Sequence, residues 1–168
     1  MKNNKTLKLT LSALLCAVAV VGSTFSFPVF GSKCSPIQHM VNVLCAVLLS
    51  PAYGTGAAFG AALIRNLSGL GSVLAFPGSM LGAALSGMVY KKTGSIWAAV
   101  AGEVFGTAVL GGLCAYPLAV ALLGVKDVAF YAYIVPFLVS TAVGSLVSGI
   151  LIHVLDKTGN LQKMKEKL

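Results

Sequence analysis

Charge is scarce in this chain, and negative charge scarcer still. Its 168 residues carry four Asp and Glu against twelve Lys and Arg, and charged residues make up 10% of the total. A soluble domain carries about 25%. No long polar block is present, so no separate soluble domain fits, and a single domain over residues 1–168 is expected. Also missing is any G-x-x-x-x-G-K-S/T phosphate loop, so the chain is not expected to hydrolyse ATP itself. Cysteine is sparse: Cys16, Cys34, Cys45 and Cys114 show no zinc-ligand spacing and imply no disulfide framework. Three of them sit in apolar runs as small hydrophobes, and Cys34 reads as exposed in the first loop. The apolar runs do not alternate with period two, which argues against a transmembrane barrel.

Apolar residues are abundant, at 57% of the chain, with a mean hydropathy of +0.92. That composition predicts an all-α integral membrane protein. Six apolar segments are legible, at about residues 7–25, 37–50, 52–67, 76–90, 95–118 and 129–155. Pro36, Pro51, Pro77 and Pro117 mark or lie near several boundaries, because proline suits a helix start and breaks a helix interior. The second segment is short for a hydrocarbon core of about 30 Å, so the second and third could be fused into one long helix.

Basic residues decide against fusion. Lys2, Lys5, Lys8, Lys91, Lys92, Lys157, Lys163, Lys165 and Lys167 flank the apolar runs. With six spans and a cytoplasmic N-terminus, nine of the twelve Lys and Arg lie inside, leaving Lys33, Arg65 and Lys126 outside. Fusion would send Lys91, Lys92 and the basic tail outside. The expectation is a compact six-transmembrane-helix bundle with cytoplasmic N- and C-termini. The same distribution explains the net charge of +8 without nucleic acid, so no nucleic-acid partner is expected. The first segment shares features with a signal peptide, yet a multispanning chain needs no separate one, and it is read as a retained helix. Lys-Thr-Gly occurs at 92–94 and 157–159. It mimics one box of penicillin-binding enzymes whose partner boxes are missing, and ordinary helix-end chemistry explains both copies.

Nineteen glycines lie mostly inside the apolar segments. Gly56-x-x-x-Gly60, Gly78-x-x-x-Gly82 and Gly102-x-x-x-Gly106 are expected to pack within the bundle, since small residues one turn apart let backbones approach. In the first segment Ser12, Ala13, Cys16 and Ala17 form a smooth stripe. It suits packing inside the bundle and docking against another membrane protein equally well.

Polar groups at membrane depth are costly and mark function. Gln38, His39 and Asn42 open the second segment; Arg65 and Asn66 close the third. Glu103 sits in the fifth, with Tyr116 near its far end. The six-span topology brings most of these toward the outer half, beneath the charge-poor loops 25–36 and 68–75, which could fold over a pocket. A carboxylate within a span needs a partner, a proton or a ligand, so Glu103 is the strongest candidate for a ligand or ligand-shaping role. His39 and Glu103 alone make a poor metal site, lacking a third ligand. No metal and no cofactor are expected.

The stretches "PIQHMVNVL", "RNLSGLGSVLAFPGSMLGA" and "GEVFGTAVLGGLCAYP", with Ala13-x-x-x-Ala17 in the first segment, resemble the ThiW family. That family is a set of substrate-binding S-components of energy-coupling-factor (ECF) vitamin transporters, assigned to hydroxyethylthiazole, the thiazole precursor of thiamine. Ser68-Gly69-Leu70-Gly71-Ser72 departs from the more Gly/Thr-rich loop that the family leads one to expect. The resemblance implies a multi-pass protein of a bacterial cell membrane, not an enzyme. It implies a pocket closed by the first and third loops, with Gln38, His39, Asn42, Arg65, Asn66, Glu103 and Tyr116 as candidate substrate-binding residues. Its partners would be a membrane T-component, docked on Ala13 and Ala17, and two ABC-type ATPases. Arg65 could pair with Glu103, polarise the ligand or hold the lid, and the sequence leaves all three open. The alternatives are an S-component for another thiamine-related vitamin, such as the pyrimidine moiety, a stand-alone membrane facilitator, and a small membrane enzyme.

Overall fold

A computed structural model describes residues 4–29, 32–125 and 129–168. Lys2 and Lys126, both used in the charge argument, lie outside the described residues. The chain is almost entirely helical. Helix α1 (Lys5–Gly22) ends in a single 3-10 turn, Ser23–Phe25. A small antiparallel hairpin follows, β1 (Phe27–Val29) against β2 (Ser32–Cys34), with Phe27 opposite Cys34 and Pro28 opposite Lys33. Then come α2 (Pro36–Leu48), α3 (Pro51–Leu67), α4 (Ala75–Thr93) and α5 (Ile96–Phe105). From α5 the chain passes through a π-helical stretch, Gly106–Gly111, into α6 (Gly112–Leu123), making one rod of 28 residues. Helix α7 (Ile134–Lys157) and a short α8 (Asn160–Lys167) complete the chain.

Local chemistry sets these boundaries. Pro36 and Pro51 stand in the first turn of α2 and α3, where a missing N–H is harmless. Leu49 and Ser50 leave helical geometry between them, so the second and third segments are separate helices. Gly94 closes α4 with a left-handed φ of 66°, a conformation that suits glycine, and the Ser95 hydroxyl caps α5 by accepting from Ala98 N–H.

The polar residues of α7 turn inward: Ser140, Thr141, Ser145 and Ser148 are all buried with Gly144 and Gly149. Helix α2 lies at the centre, packed against α1, α3, α4, α5 and α7. Close backbone approach holds α4 to the α5–α6 rod. A Cβ on Gly106 would come within 2.9 Å of Gly82 Cα, and one on Gly111 would overlap Gly78. Both the Gly78/Gly82 and Gly102/Gly106 pairs therefore pack inside the bundle.

Several expectations need correction. Gly56 faces outward with nothing near it, and only Gly60 of that pair meets a neighbour, Cys16 of α1. The rod does not stop near residue 118; it runs through Pro117 to Leu123, since membrane helices tolerate proline where local distortion re-satisfies the backbone. Loop 25–36 carries the hairpin, and the tail folds into α8, an amphipathic helix that buries Leu161. Cys34 is 1% exposed and its thiol donates to Pro136 C=O at 3.2 Å, because the hairpin packs onto α7; Cys114 is the exposed thiol among the described residues.

The two ends of the bundle differ. One carries the hairpin, the start of α2, the end of α3 and the starts of α4 and α7. The other carries both described termini, the α4–α5 turn and α8. Of the ten described Lys and Arg, eight lie at the α8 end, and only Lys33 and Arg65 lie at the hairpin end. Three helical stretches are long and apolar enough to cross a bilayer: Lys5–Phe25, Ile96–Leu123 and Ile134–Lys157.

Candidate functional site

The hairpin end holds a cavity with about 350 Å³ of open space, its mouth included. Its walls come from six elements, beginning with Lys33 and Ser35 at the hairpin, Gln38 and His39 of α2, and Arg65 of α3. Opposite these stand Ala75, Gly78 and Ser79 of α4, Thr107 of the rod, and Phe137 and Ser140 of α7. Five helical elements and the hairpin therefore converge on one small volume.

Beneath the cavity lies a buried hydrogen-bonded network. Glu103 is fully buried, and three donors converge on its Oε1: His39 Nδ1 at 2.9 Å, Asn42 Nδ2 at 2.8 Å and Thr107 Oγ1 at 3.1 Å. An oxygen that accepts from Asn42 and Thr107 accepts from His39 as well, which puts a proton on Nδ1. His39 Nε2, on the far side of the ring, has no hydrogen-bond partner among the described residues, and the imidazole lines the cavity. Asn42 also donates to Ser79 C=O at 3.1 Å and accepts from Gln38 Nε2 at 3.2 Å. Gln38 in turn accepts from Arg65 Nη1 at 3.4 Å. Arg65 and Glu103 are thus linked through Gln38 and Asn42 and do not pair directly. Two atoms of the network stay unmatched: Arg65 Nε and Glu103 Oε2 are buried without partners among the described residues. Gly82 gives the carboxylate its room, since a Cβ there would overlap the Thr107 hydroxyl and lie 2.8 Å from both Glu103 oxygens.

The roof is tied down locally. Lys33 Nζ donates to Gly69 C=O at 3.2 Å, joining the hairpin to the turn after α3. Asn66 donates to Ala62 C=O and to Ser72 C=O, which holds that turn against its own helix. Ser140 accepts from Ser35 N–H at 2.9 Å, fastening the hairpin exit to α7.

Of the residues singled out from sequence, Gln38, His39 and Arg65 line the cavity, while Asn42 and Glu103 support them from below. Asn66 braces the adjoining turn. Tyr116 is half-buried on α6 and does not line the cavity. Sequence reasoning passed over Ser35, Ser79, Phe137 and Ser140. One signal was available: Ser140, Thr141, Gly144, Ser145, Ser148 and Gly149 recur at helical spacing, marking an inward face on α7. Ala13 and Ala17 are exposed on α1, whereas Ser12 turns inward and donates to Tyr53 C=O.

Residues 9–158 match the family described as thiamine-precursor transporter protein (ThiW). This chain belongs to the ThiW family. The match spans the whole cavity and the helices that build it. No curated protein matches the chain. Among solved structures it is similar to ThiT from Listeria monocytogenes serovar, determined by native-SAD phasing. The likeness covers 97% of this chain and 99% of that one, at a TM-score of 0.61 and 20% identity. At that identity the likeness shows a shared fold. ThiW proteins are transporters and not enzymes. The buried cluster presents an unspent donor on Arg65 and a ring nitrogen of His39 within an apolar frame.

Proposed function

We propose that this chain is the substrate-binding S-component of an ECF importer and that it binds hydroxyethylthiazole at its hairpin end. The observation that carries this reading is the cavity itself, walled by Gln38, His39 and Arg65 over the Glu103 network, in a chain of the thiamine-precursor transporter family. In this reading six helices cross a bacterial cell membrane: α1, α2, α3, α4, the α5–α6 rod and α7. The lysine-rich α8 end faces the cytoplasm, as the eight-to-two distribution of basic residues favours. The hairpin and the turn after α3 then form the outer lid.

Gln38, His39 and Arg65 contact the ligand, Asn42 and Glu103 orient them, and Asn66 holds the lid. Phe137 with Ala75 and Gly78 offers the apolar wall that a heteroaromatic ring needs. Energy comes from a T-component and two ABC-type ATPases. Exposed Ala13 of α1 and exposed Ala52 and Gly56 of α3 line a shallow surface that a partner helix can approach closely, and Ala17 is exposed one turn further along α1.

Calorimetry on the purified chain, comparing the thiazole alcohol, the pyrimidine alcohol and thiamine, tests the substrate. Nine heavy atoms at about 1.5 kcal/mol each set a ceiling near nanomolar affinity. Tight thiazole binding supports the reading. Binding of the pyrimidine alcohol alone reassigns the substrate. Replacing Ala13 and Ala17 with bulky residues tests the docking surface: ligand binding should persist, while uptake and co-purification of the T-component should fail.

A further inference from the structure

Arg65 is 3% exposed at the end of α3 and lines the cavity. Its guanidinium has five N–H donors. One, on Nη1, reaches Gln38 across a long 3.4 Å, and Nε is buried with no partner among the described residues. A buried donor without an acceptor is a strong demand for one. Lys33 is the second cation on the wall, and no carboxylate lines the cavity. Glu103 lies behind the wall, with Oε1 already committed to His39, Asn42 and Thr107. Its charge offsets a cation below the cavity without offering an oxygen to a ligand inside it. Lys33 spends a donor on Gly69 C=O at the rim. The unmet requirement is therefore an acceptor facing Arg65, and with Glu103 behind the wall a neutral lone pair meets it.

We propose that Arg65 is the specificity-determining residue that selects an uncharged heteroaromatic ring with a lone-pair nitrogen and rejects the same ring once that nitrogen is alkylated. The inference rests on the substrate reading above and deepens it. In a free thiazole the ring nitrogen accepts from Arg65. In a thiazolium the lone pair is gone, the ring is positive, and it meets a buried guanidinium. Arg65 is itself buried there, so the repulsion is less screened than it would be at the surface. His39 serves the other end of the ligand: Nδ1 is engaged by Glu103, which leaves Nε2 on the cavity side to hydrogen-bond the alcohol. The site thereby separates a precursor from the finished vitamin, whose thiazole nitrogen is quaternary.

The experiment is calorimetry on the purified full-length chain with three probes: hydroxyethylthiazole, its N-methylthiazolium salt, and the thiophene alcohol that lacks the ring nitrogen. The wild type should favour the thiazole over the thiazolium by about 100-fold or more, and over the thiophene by about 10-fold. Arg65→Gln should shrink the thiazole-to-thiazolium ratio to below about 10-fold, while Arg65→Lys, which keeps the charge, should hold it. An unchanged ratio in a folded Arg65→Gln variant overturns the proposal and leaves the thiazole assignment standing. Thiophene binding equal to thiazole binding overturns it in the wild type alone, whatever the variants do. Binding of none of the three probes by wild type overturns the substrate reading and this inference with it.

Discussion

The two ends of the bundle are built on opposite principles. At the α8 end the core is apolar: Val43, Val47 and Leu48 of α2 meet Ile96, Ala99 and Val100 of α5, Ile152 of α7 and Leu161 of α8. Charge there sits on the outside, as lysines. At the hairpin end the interior is polar: Gln38, His39, Asn42, Arg65, Glu103 and Thr107 are all buried, and α2, α3, α4, the rod and α7 frame a cavity instead of closing on it. The same central helix serves both, with polar residues in its first two turns and aliphatic ones in its last two. The difference teaches where conformational work is possible. An apolar core is forgiving of small shifts in its contacts, whereas a buried network demands that every donor find its acceptor. The three buried side-chain atoms left unmatched among the described residues, Ser35 Oγ, Arg65 Nε and Glu103 Oε2, all lie at the hairpin end.

The largest break in this contrast should come from Glu103→Leu. It strands three buried donors and removes the charge that offsets Arg65, so a loss of about 3–5 kcal/mol in stability is expected, read as thermal unfolding in detergent. An unshifted transition would mean that the network is not what holds the hairpin end together. Glu103→Gln keeps the size and one acceptor. It should unfold normally yet weaken ligand binding by about 1–3 kcal/mol.

Leu161→Ala strikes the opposite end. Leu161 is 2% exposed beneath α8, and its truncation should lower stability by about 2–3 kcal/mol while ligand affinity stays at the wild-type value. Calorimetry showing weakened binding in this variant would join the two ends into one unit. Gly82→Ala sharpens the comparison from inside the network: the added methyl overlaps the Thr107 hydroxyl and crowds Glu103, at a cost of about 1–3 kcal/mol. Binding should fall along with stability, unlike the Leu161 case. The smallest effect belongs to Lys165, which donates to the Tyr90 hydroxyl and stands 4.8 Å from its ring centroid. Lys165→Met should remove about 0.5–1 kcal/mol, and the loss should shrink in high salt.

Helix positions were largely legible, because proline, glycine or charge stands near the bounds of the apolar segments. The hairpin was not: Phe27–Val29 and Ser32–Cys34 are three residues each, too short for any periodicity to show. Helix α8 was hidden by its lysines, since a basic tail reads as solvent-exposed until Leu161 is seen to find a hydrophobic seat. Pro117 misled because proline rules drawn from soluble helices over-predict breaks in membrane ones. At the site, Gln38, His39, Asn42, Arg65 and Glu103 stood out as polar residues in apolar runs, a signal that needs no coordinates. Ser35, Ser140 and Phe137 carried no such contrast, and Tyr116 carried one that packing does not use.

From the sequence alone came membrane residence, the separation of the second and third helices, the family and the identity of the main polar residues. These follow from composition, local spacing and charge placement, which act over one or two helical turns. Tertiary structure decided which of those residues meet. Glu103 is 64 residues from His39 and 61 from Asn42, and Arg65 reaches Gln38 instead of Glu103. Such pairings depend on how closely α4 nests against the rod through Gly78, Gly82, Gly106 and Gly111. Helix-to-helix distance is set by the summed shape of both faces, and local sequence does not record which faces will be brought together.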